Sequence, residues 1–138
     1  MRRYLLDSAL LAAFLPNRPA VKRLVDPWLL RREAATSIVC YAEVVEYLKG
    51  LQSFVNRRRQ LRVVLLREIH PYLLTYATLE RYADIRRALR PPHGPGLIGD
   101  VDTLIAATAM ERNLTIVTMD TDFQRVPGCQ VMLVPRRL

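Results

Sequence analysis

The feature that most constrains this chain is a set of four short apolar runs, each with a carboxylate at or just beyond its end. The runs are residues 4–7, 38–43, 97–102 and 116–120, and their acids are Asp7, Glu43, Asp100, Asp102 and Asp120. Where parallel strands end side by side, residues just past their carboxyl ends converge on one crevice, however distant they are in sequence. The pattern therefore predicts a cluster of acids, which indicates metal-assisted chemistry on a phosphate.

The apolar runs alternate with segments of helical periodicity. We predict strands at residues 3–6, 35–38, 71–75 and 115–118, with a fifth candidate at 130–134. We predict helices at residues 8–14, 20–32, 41–49, 52–67, 78–89 and 102–112, with Ser8 and Thr78 as N-caps. This alternation predicts an α/β fold with a central, mostly parallel four- to five-stranded sheet and helices on both faces. The two helices on either side of Gly50 are predicted to form a hairpin.

Length and composition predict one domain spanning residues 1–138, since 138 residues with 51% hydrophobic side chains suffice for one core. No apolar stretch reaches the roughly 18 uncharged residues of a membrane-spanning helix, so we expect no membrane segment. Arg2-Arg3 and the leucines that follow imitate a signal peptide, but Asp7 interrupts the apolar region.

The two cysteines, Cys40 and Cys129, lack the spacing of a zinc site or a disulfide scaffold, which fits a reducing cytoplasm. Cys40 and Trp28 are predicted to be core residues.

The net charge of +8 arises from 21 basic residues, all but two of them arginine, against 13 acids. Such a charge favours polyanionic partners, of which nucleic acid is the commonest. Three arginine strings could bracket an acidic cleft and draw RNA into it, namely Arg57-Arg58-Arg59, Arg86-Arg87 and Arg136-Arg137. The alternative is that these arginines coat solvated helix faces.

Each acid also has an ordinary structural explanation. Asp7 follows a strand and precedes a helix, where Asp often serves only as a cap. Asp102 lies at a helix start, where the helix dipole favours any acid, and Asp100 competes for the same role. Glu43 has an equally available neighbour in Glu46, one turn on. The combination of the four positions, rather than any one of them, supports a site.

That combination resembles the successive motifs of PIN-domain proteins, and most closely the VapC-type toxin ribonucleases of bacterial toxin–antitoxin pairs. The most specific piece is the run Asp102-Thr103-Leu104-Ile105-Ala106-Ala107-Thr108-Ala109. The resemblance implies a PIN-like three-layer α/β/α sandwich with a protruding helical hairpin. Carried over position by position, the family's acidic site falls on Asp7, Glu43, Asp102 and Asp120.

The resemblance also implies a metal-dependent endoribonuclease with Mg²⁺ or Mn²⁺ as cofactor. Asp7, Asp102 and Asp120 would hold the metal, while Glu43 would orient or deprotonate the attacking water. Supporting or alternative positions are Ser8, where many members have Thr or Asn, and Asp100, Thr118 and Asp122, with Asp120 favoured over Asp122. The implied partners are an RNA substrate, a cognate antitoxin protein and a second copy of the chain, in the cytoplasm.

Other classes share parts of the pattern. A non-catalytic nucleic-acid-binding protein would carry the same charge, and a metal-dependent DNase would use similar carboxylates. A signalling receiver domain pairs two acids near its first strand with a late lysine, whereas here Asp7 lacks that companion and no lysine follows Lys49. A histidine-based mechanism needs convergent histidines, but His70 is predicted at a strand start and His93 in the Pro/Gly loop 91–96.

Overall fold

The central sheet has five strands, and every pairing in it is parallel. The structure, a computed structural model, describes residues 1–136, so Arg137 of the predicted Arg136-Arg137 pair lies outside the described residues. The strands are β1 (Tyr4–Leu6), β2 (Ala34–Ser37), β3 (His70–Tyr72), β4 (Thr115–Thr118) and β5 (Val131–Leu133), in the order β3-β2-β1-β4-β5. The fifth predicted strand is thus confirmed, and the sheet is fully parallel.

Within residues 1–136, six α-helices cover the two faces of this sheet. They are α1 (Ser8–Phe14), α2 (Pro19–Leu30), α3 (Ile38–Leu48), α4 (Phe54–Arg67), α5 (Tyr76–Leu89) and α6 (Asp100–Glu111), followed by a 3₁₀ helix at Thr121–Arg125. Crossovers between parallel strands are right-handed. Since the steps from β1 to β2 and from β2 to β3 run in one direction, α1–α4 lie on one face. The step from β3 to β4 runs the opposite way, which puts α5 and α6 on the other face and confirms the three-layer sandwich.

The reversal of strand order determines where the open end of the sheet lies. Strand β1 is flanked by β2 on one side and by β4 on the other, with Leu5 paired to Ala35 and to Ile116. The chain leaves the carboxyl end of β1 toward one face and the carboxyl end of β4 toward the other side of the sheet. Such a switch point opens a crevice outside the strand ends.

Several predicted element boundaries were wrong by a few residues. Strand β3 pairs with β2 over His70–Tyr72 rather than extending to residue 75. Helix α5 is capped by Thr75, whose hydroxyl accepts from the Thr78 amide at 3.2 Å, while Thr78 itself is buried in the first turn. Helix α1 is capped by Asp7, not Ser8. In each case the cap is the residue with extended backbone before the helix.

Helix α6 also begins earlier than predicted, at Asp100 instead of Asp102. The extended backbone of Gly99 serves as its N-cap without a side-chain hydrogen bond. Three alanines of this helix, Ala106, Ala107 and Ala109, are fully buried. Their small side chains bring α6 close to the layer beneath and fix its first turn beside the strand ends.

The core lies between the sheet and its helical layers and includes both residues that we predicted there. Trp28 is 7% exposed and stacks on Tyr4 with ring centroids 4.1 Å apart, and Cys40 is fully buried. No helix within residues 1–136 combines the length and apolarity that crossing a membrane would need.

The predicted hairpin consists of α3 and α4, joined by residues 49–53. Helix α4 buries Leu61 and Val64 but leaves Val55, Val63 and Leu66 exposed, the last to 82%. The hairpin therefore presents an apolar surface to solvent as well as its arginines.

Candidate metal centre

A cleft of about 530 Å³ opens at the carboxyl edge of the sheet, at the switch point beside β1 and β4. All four predicted acids line it, together with neighbouring side chains: Asp7, Ser8, Ala9, Glu43, Asp102, Met119, Asp120 and Arg136. Four segments that are distant in sequence thus meet in one cavity. His70 and His93 do not line this cleft.

Asp7 is both a helix cap and a wall of the cleft. Its Oδ1 accepts from the Leu10 amide at 3.0 Å, and its Oδ2 accepts from the Thr118 hydroxyl. The side chain is buried, with only 6% of the residue exposed. Burial raises the pKa of Asp7, while the hydrogen bonds from Thr118 and Leu10 oppose that rise. Asp7 therefore caps α1 and also lines the cleft, so these two interpretations of the residue are compatible.

Thr118 joins the two strand ends that form the floor of the cleft. Its hydroxyl donates to Asp7 and also accepts from the Asp120 amide at 2.9 Å. Thr118 is fully buried, and both its hydroxyl proton and one of its two acceptor lone pairs are used inside the protein. The arrangement fixes Asp7 relative to Asp120 before any ligand arrives.

Glu43 is the acid that α3 presents to the cleft. Its Oε1 accepts a hydrogen bond from the Ser8 hydroxyl, which comes from the first turn of α1. Glu46 is exposed and does not line the cleft. The helical spacing alone left these two acids equivalent, and the packing of α3 beside α1 separates them.

Among residues 1–136, Asp102, Asp120 and Asp122 form a close group of carboxylates. One oxygen from each lies within 4.8 Å of the others. Asp120 caps the 3₁₀ helix, with its Oδ1 accepting from the Asp122 amide at 2.9 Å. Asp122 stands in the first turn of that helix, 3.5 Å from Arg125, and is not the cap. The predicted ligand set of Asp7, Asp102 and Asp120 stays a prediction, with Asp122 as an additional oxygen donor nearby.

The electrostatics of the group are those of crowded acids. Burial, followed by the negative charges of Asp120 and Glu43, raises the pKa of Asp102 from 3.8 to about 6. The donors are all carboxylate oxygens, which suit hard cations such as Mg²⁺ and Mn²⁺. A bound cation would offset the repulsion that raises this pKa. The residues present therefore fit a divalent metal.

Asp100, the predicted competitor of Asp102, lies outside the cleft. Its Oδ1 accepts from Arg86 at 2.6 Å and from the Tyr82 hydroxyl at 3.1 Å, and its side chain is 70% exposed. The sequence indicated Arg86 only as part of an arginine string that could bracket the cleft, and the pairing of Arg86 and Tyr82 with Asp100 was missed. Their spacing of four residues on α5 was the signal that could have placed them on one face.

The arginine side chains differ in the groups that they contact. Arg57 donates to the Leu15 carbonyl at 3.3 Å, Arg58 lies over the Phe54 ring, and Arg86 pairs with Asp100. Arg136 lines the acid cleft itself. One member of the three predicted strings is therefore at the cleft, while several others have structural partners elsewhere.

Comparison with known proteins shows which family and which solved structures this chain is similar to. Residues 4–128 match the family model described as PIN domain. The comparison with curated proteins gave no match. VapBC2 from Rickettsia felis, solved bound to a DNA fragment from its promoter, is similar over 95% of this chain and 98% of its own, with a TM-score of 0.82 and 19% identity. VapBC-1 from nontypeable Haemophilus influenzae is similar over 94% and 96%, with a TM-score of 0.79 and 23% identity.

A third similar structure, FitAcB from Neisseria gonorrhoeae, covers 98% of this chain and 99% of its own, with a TM-score of 0.70 and 24% identity. At identities this low, the structural similarity establishes a shared fold and no more. That fold agrees with the sheet order and layers described above. The match over residues 4–128 identifies the chain as a member of the PIN domain family.

Proposed function

We propose that this protein is a metal-dependent endoribonuclease that acts as the toxin of a type II toxin–antitoxin pair. The observation that carries the proposal is the gathering of Asp7, Glu43, Asp102 and Asp120 in one cleft of a strongly basic chain. A cavity lined by clustered carboxylates suits a divalent cation, and such a cation in turn attracts a phosphate.

The metal would be Mg²⁺ or Mn²⁺, held by Asp102 and Asp120 together with Asp7, with Asp122 close enough to contribute an oxygen. When bound, such an ion lowers the pKa of a coordinated water and stabilises charge on a phosphate. Asp7 reaches the site already fixed by Thr118 and the Leu10 amide.

Glu43 would orient or deprotonate the water that attacks the phosphodiester. The Ser8 hydroxyl donates to one of its oxygens, which leaves the second oxygen for that water. Arg136, at the rim of the same cleft, would neutralise charge that develops on the scissile phosphate. The cleft would thus supply a carboxylate that acts as a base toward the water and a guanidinium that offsets charge on the phosphate.

The toxin assignment rests on the family and on the hairpin surface. The similar solved structures include VapBC and FitAB proteins. One is described as a toxin–antitoxin complex from Klebsiella pneumoniae, and another as a member of the VapBC family of toxin–antitoxin systems from Mycobacterium tuberculosis. In this chain the hairpin exposes apolar side chains that a protein partner would cover, among them Val55, Val63 and Leu66. A cognate antitoxin and a second copy of the chain are the proposed partners, in the cytoplasm.

Cleavage assays with a matched pair of variants test the nuclease. Purified protein should cut total RNA with Mg²⁺ or Mn²⁺ and lose this activity in chelator. Asp102→Asn should lower cleavage roughly 100-fold or more, because it removes a metal ligand. Asp100→Asn is the control, since its carboxylate lies on the same helix but faces Arg86 outside the cleft. Equal activity of the two variants would contradict the proposal.

The same assay separates the alternatives. A non-catalytic RNA-binding protein would retain RNA binding when the acids are neutralised and would cut nothing. A metal-dependent DNase would prefer single- or double-stranded DNA in direct competition with RNA.

The toxin assignment has its own test. Expression of the protein should arrest growth, and co-expression of the product of an adjacent small reading frame should relieve the arrest. Expression of Asp102→Asn should leave growth unaffected. Growth arrest by that variant would show that toxicity does not come from the cleft.

A further inference from the structure

A second cavity of about 610 Å³ continues from the acid cleft along α1. Ser8, Ala9 and Glu43 line both cavities, so the two form a single groove. One end of the groove holds the carboxylates, and the other end reaches Arg18 at the start of α2. Any chain molecule cut at the acid cleft has this groove as a continuous path.

The floor of the second cavity is smooth and apolar. Ala9, Ala12 and Ala13 line it from α1, at spacings that place them on one helix face. The Ser8 and Glu43 side chains at its inner end are hydrogen-bonded to each other. The floor therefore offers room for a flat group and little hydrogen-bonding capacity with which to identify it.

Tyr47 forms the outer wall of the cavity. The residue is 61% exposed, and within residues 1–136 its hydroxyl has no hydrogen-bond partner in the protein. An exposed aromatic ring beside an apolar floor is a platform on which a nucleobase can stack. Stacking of this kind tolerates any base because every base has a flat face.

Arg18 supplies a cation at the far end. It is exposed, and among the described residues no carboxylate pairs with its guanidinium. Arg57, Arg58 and Arg86 by contrast are held by a carbonyl, an aromatic ring and a carboxylate. A guanidinium without a protein partner is suited to a backbone phosphate.

We propose that this groove binds the single-stranded RNA segment on one side of the scissile phosphate, with a base stacked on Tyr47 and a backbone phosphate on Arg18. The inference rests on the proposed ribonuclease function and deepens it. Because the floor consists of alanine side chains, the groove would hold the base of an unpaired strand by stacking rather than by reading its identity. Binding there holds the phosphodiester over the carboxylates.

The test uses steady-state cleavage of a short single-stranded oligoribonucleotide that contains a site mapped in total RNA. Tyr47→Ala and Arg18→Ala should each raise KM by about tenfold with kcat nearly unchanged, as expected for the loss of one stacked base or one phosphate contact. Tyr47→Phe should behave like wild type, since the ring and not the hydroxyl acts. Tyr76→Ala and Arg23→Ala are controls, because both residues are exposed and neither lines the groove.

Shortened substrates supply the decisive comparison. Removing the nucleotides on one side of the cleaved bond should abolish the KM difference between Tyr47→Ala and wild type. Removing those on the other side should preserve it. A structural role of Tyr47 or Arg18 would affect all three substrates alike and would overturn the proposal.

Other outcomes also give a clear answer. An unchanged KM for Tyr47→Ala and Arg18→Ala, with cleavage intact, overturns the groove proposal while leaving the nuclease in place. If these variants change only the inhibition by the antitoxin, the groove belongs to that protein and the proposal is wrong. If wild-type protein cuts no RNA with Mg²⁺ or Mn²⁺, the proposed function fails and the groove assignment fails with it.

Discussion

The acid cleft and the surface of α4 both concentrate charges of one sign, yet the protein treats them in opposite ways. In the cleft, Asp7 is buried and held by two hydrogen bonds. On α4, Arg58, Arg59 and Arg62 are exposed. Burying a charge is costly, whereas an exposed charge is solvated at little cost. A charge cluster that the fold buries therefore indicates function more strongly than a larger one that it leaves in water.

The raised pKa of Asp102 reflects the energetic cost of keeping a carboxylate charged in the cleft. Its rise to about 6 means that the protein holds a carboxylate where ionisation is unfavourable. Nothing about folding requires that arrangement, since a neutral side chain would relieve the repulsion. The cleft carries a cost in stability that a bound cation would offset.

The largest expected effect comes from neutralising one charge in each region. Glu43→Gln should lower kcat about 100-fold or more, because a general base contributes 10²- to 10⁴-fold to such a reaction. Arg59→Gln should change kcat by less than about twofold, since Arg59 is solvated on α4. If both variants lost kcat to a similar extent on the same RNA, the distinction between a catalytic cleft and a solvated helix surface would be wrong.

The pH dependence of stability should distinguish the regions next. Between pH 3.8 and about 6, the metal-free folded protein keeps a proton on Asp102 that the unfolded chain has released. The contribution of Asp102 to the free energy of unfolding therefore falls as pH rises through this window and stays low above it. Urea unfolding in the presence of chelator at pH 4.5, 5.5 and 7 measures this contribution. It is the free energy of unfolding of wild type minus that of Asp102→Asn at each pH.

Arg59→Gln is the control for that experiment and should give a curve parallel to wild type. Saturating Mg²⁺ should raise the stability of wild type at pH 7 and leave Asp102→Asn almost unchanged. A wild-type curve parallel to that of Asp102→Asn would contradict the assigned pKa.

A smaller effect is expected at the hydrogen bond that orients Glu43. Ser8→Ala should lower kcat about fivefold, because a lost hydrogen bond is worth about 1 kcal/mol. Ser53→Ala is the matched control in the hairpin, since the Ser53 side chain forms no cap hydrogen bond at the start of α4. Equal kcat values for Ser8→Ala and wild type would remove the positioning role of Ser8.

The smallest effect separates two neighbouring arginines of the hairpin. Arg57 donates to the Leu15 carbonyl at the end of α1, so Arg57→Ala should lower the free energy of unfolding by about 1 kcal/mol. Arg59→Ala should change it by less than about 0.5 kcal/mol. Urea denaturation of both variants decides whether the exposed arginine string is uniform, as composition suggests, or divided, as the contacts indicate.

Sequence reasoning succeeded where periodicity and strand ends determine position. The strand–helix alternation was sufficient to predict a parallel sheet, and the apolar runs before Asp7 and Asp120 were sufficient to place these acids at its carboxyl edge. The choice of Asp102 over Asp100 came from the resemblance. In the structure Asp102 lines the cleft, whereas Asp100 is bound by Arg86 and Tyr82 outside it, and the role of Asp102 as a metal ligand stays a prediction.

The rest depended on contacts between distant segments, which no local pattern contains. That Thr118 links Asp7 to Asp120 follows from the pairing of β1 with β4. That Asp122 approaches Asp102 follows from the 3₁₀ helix after β4, which carries no apolar period of its own. The arginine strings looked alike in sequence and differ only through what each side chain meets in three dimensions.

The most direct test of the central claim is an anomalous diffraction map from crystals of the protein soaked in Mn²⁺ at a concentration that supports cleavage. We expect a peak in the cleft at the carboxyl edge of the sheet, next to carboxylate oxygens of Asp102 and Asp120. A map with no peak there, from crystals of protein that cuts RNA with Mn²⁺, would contradict it.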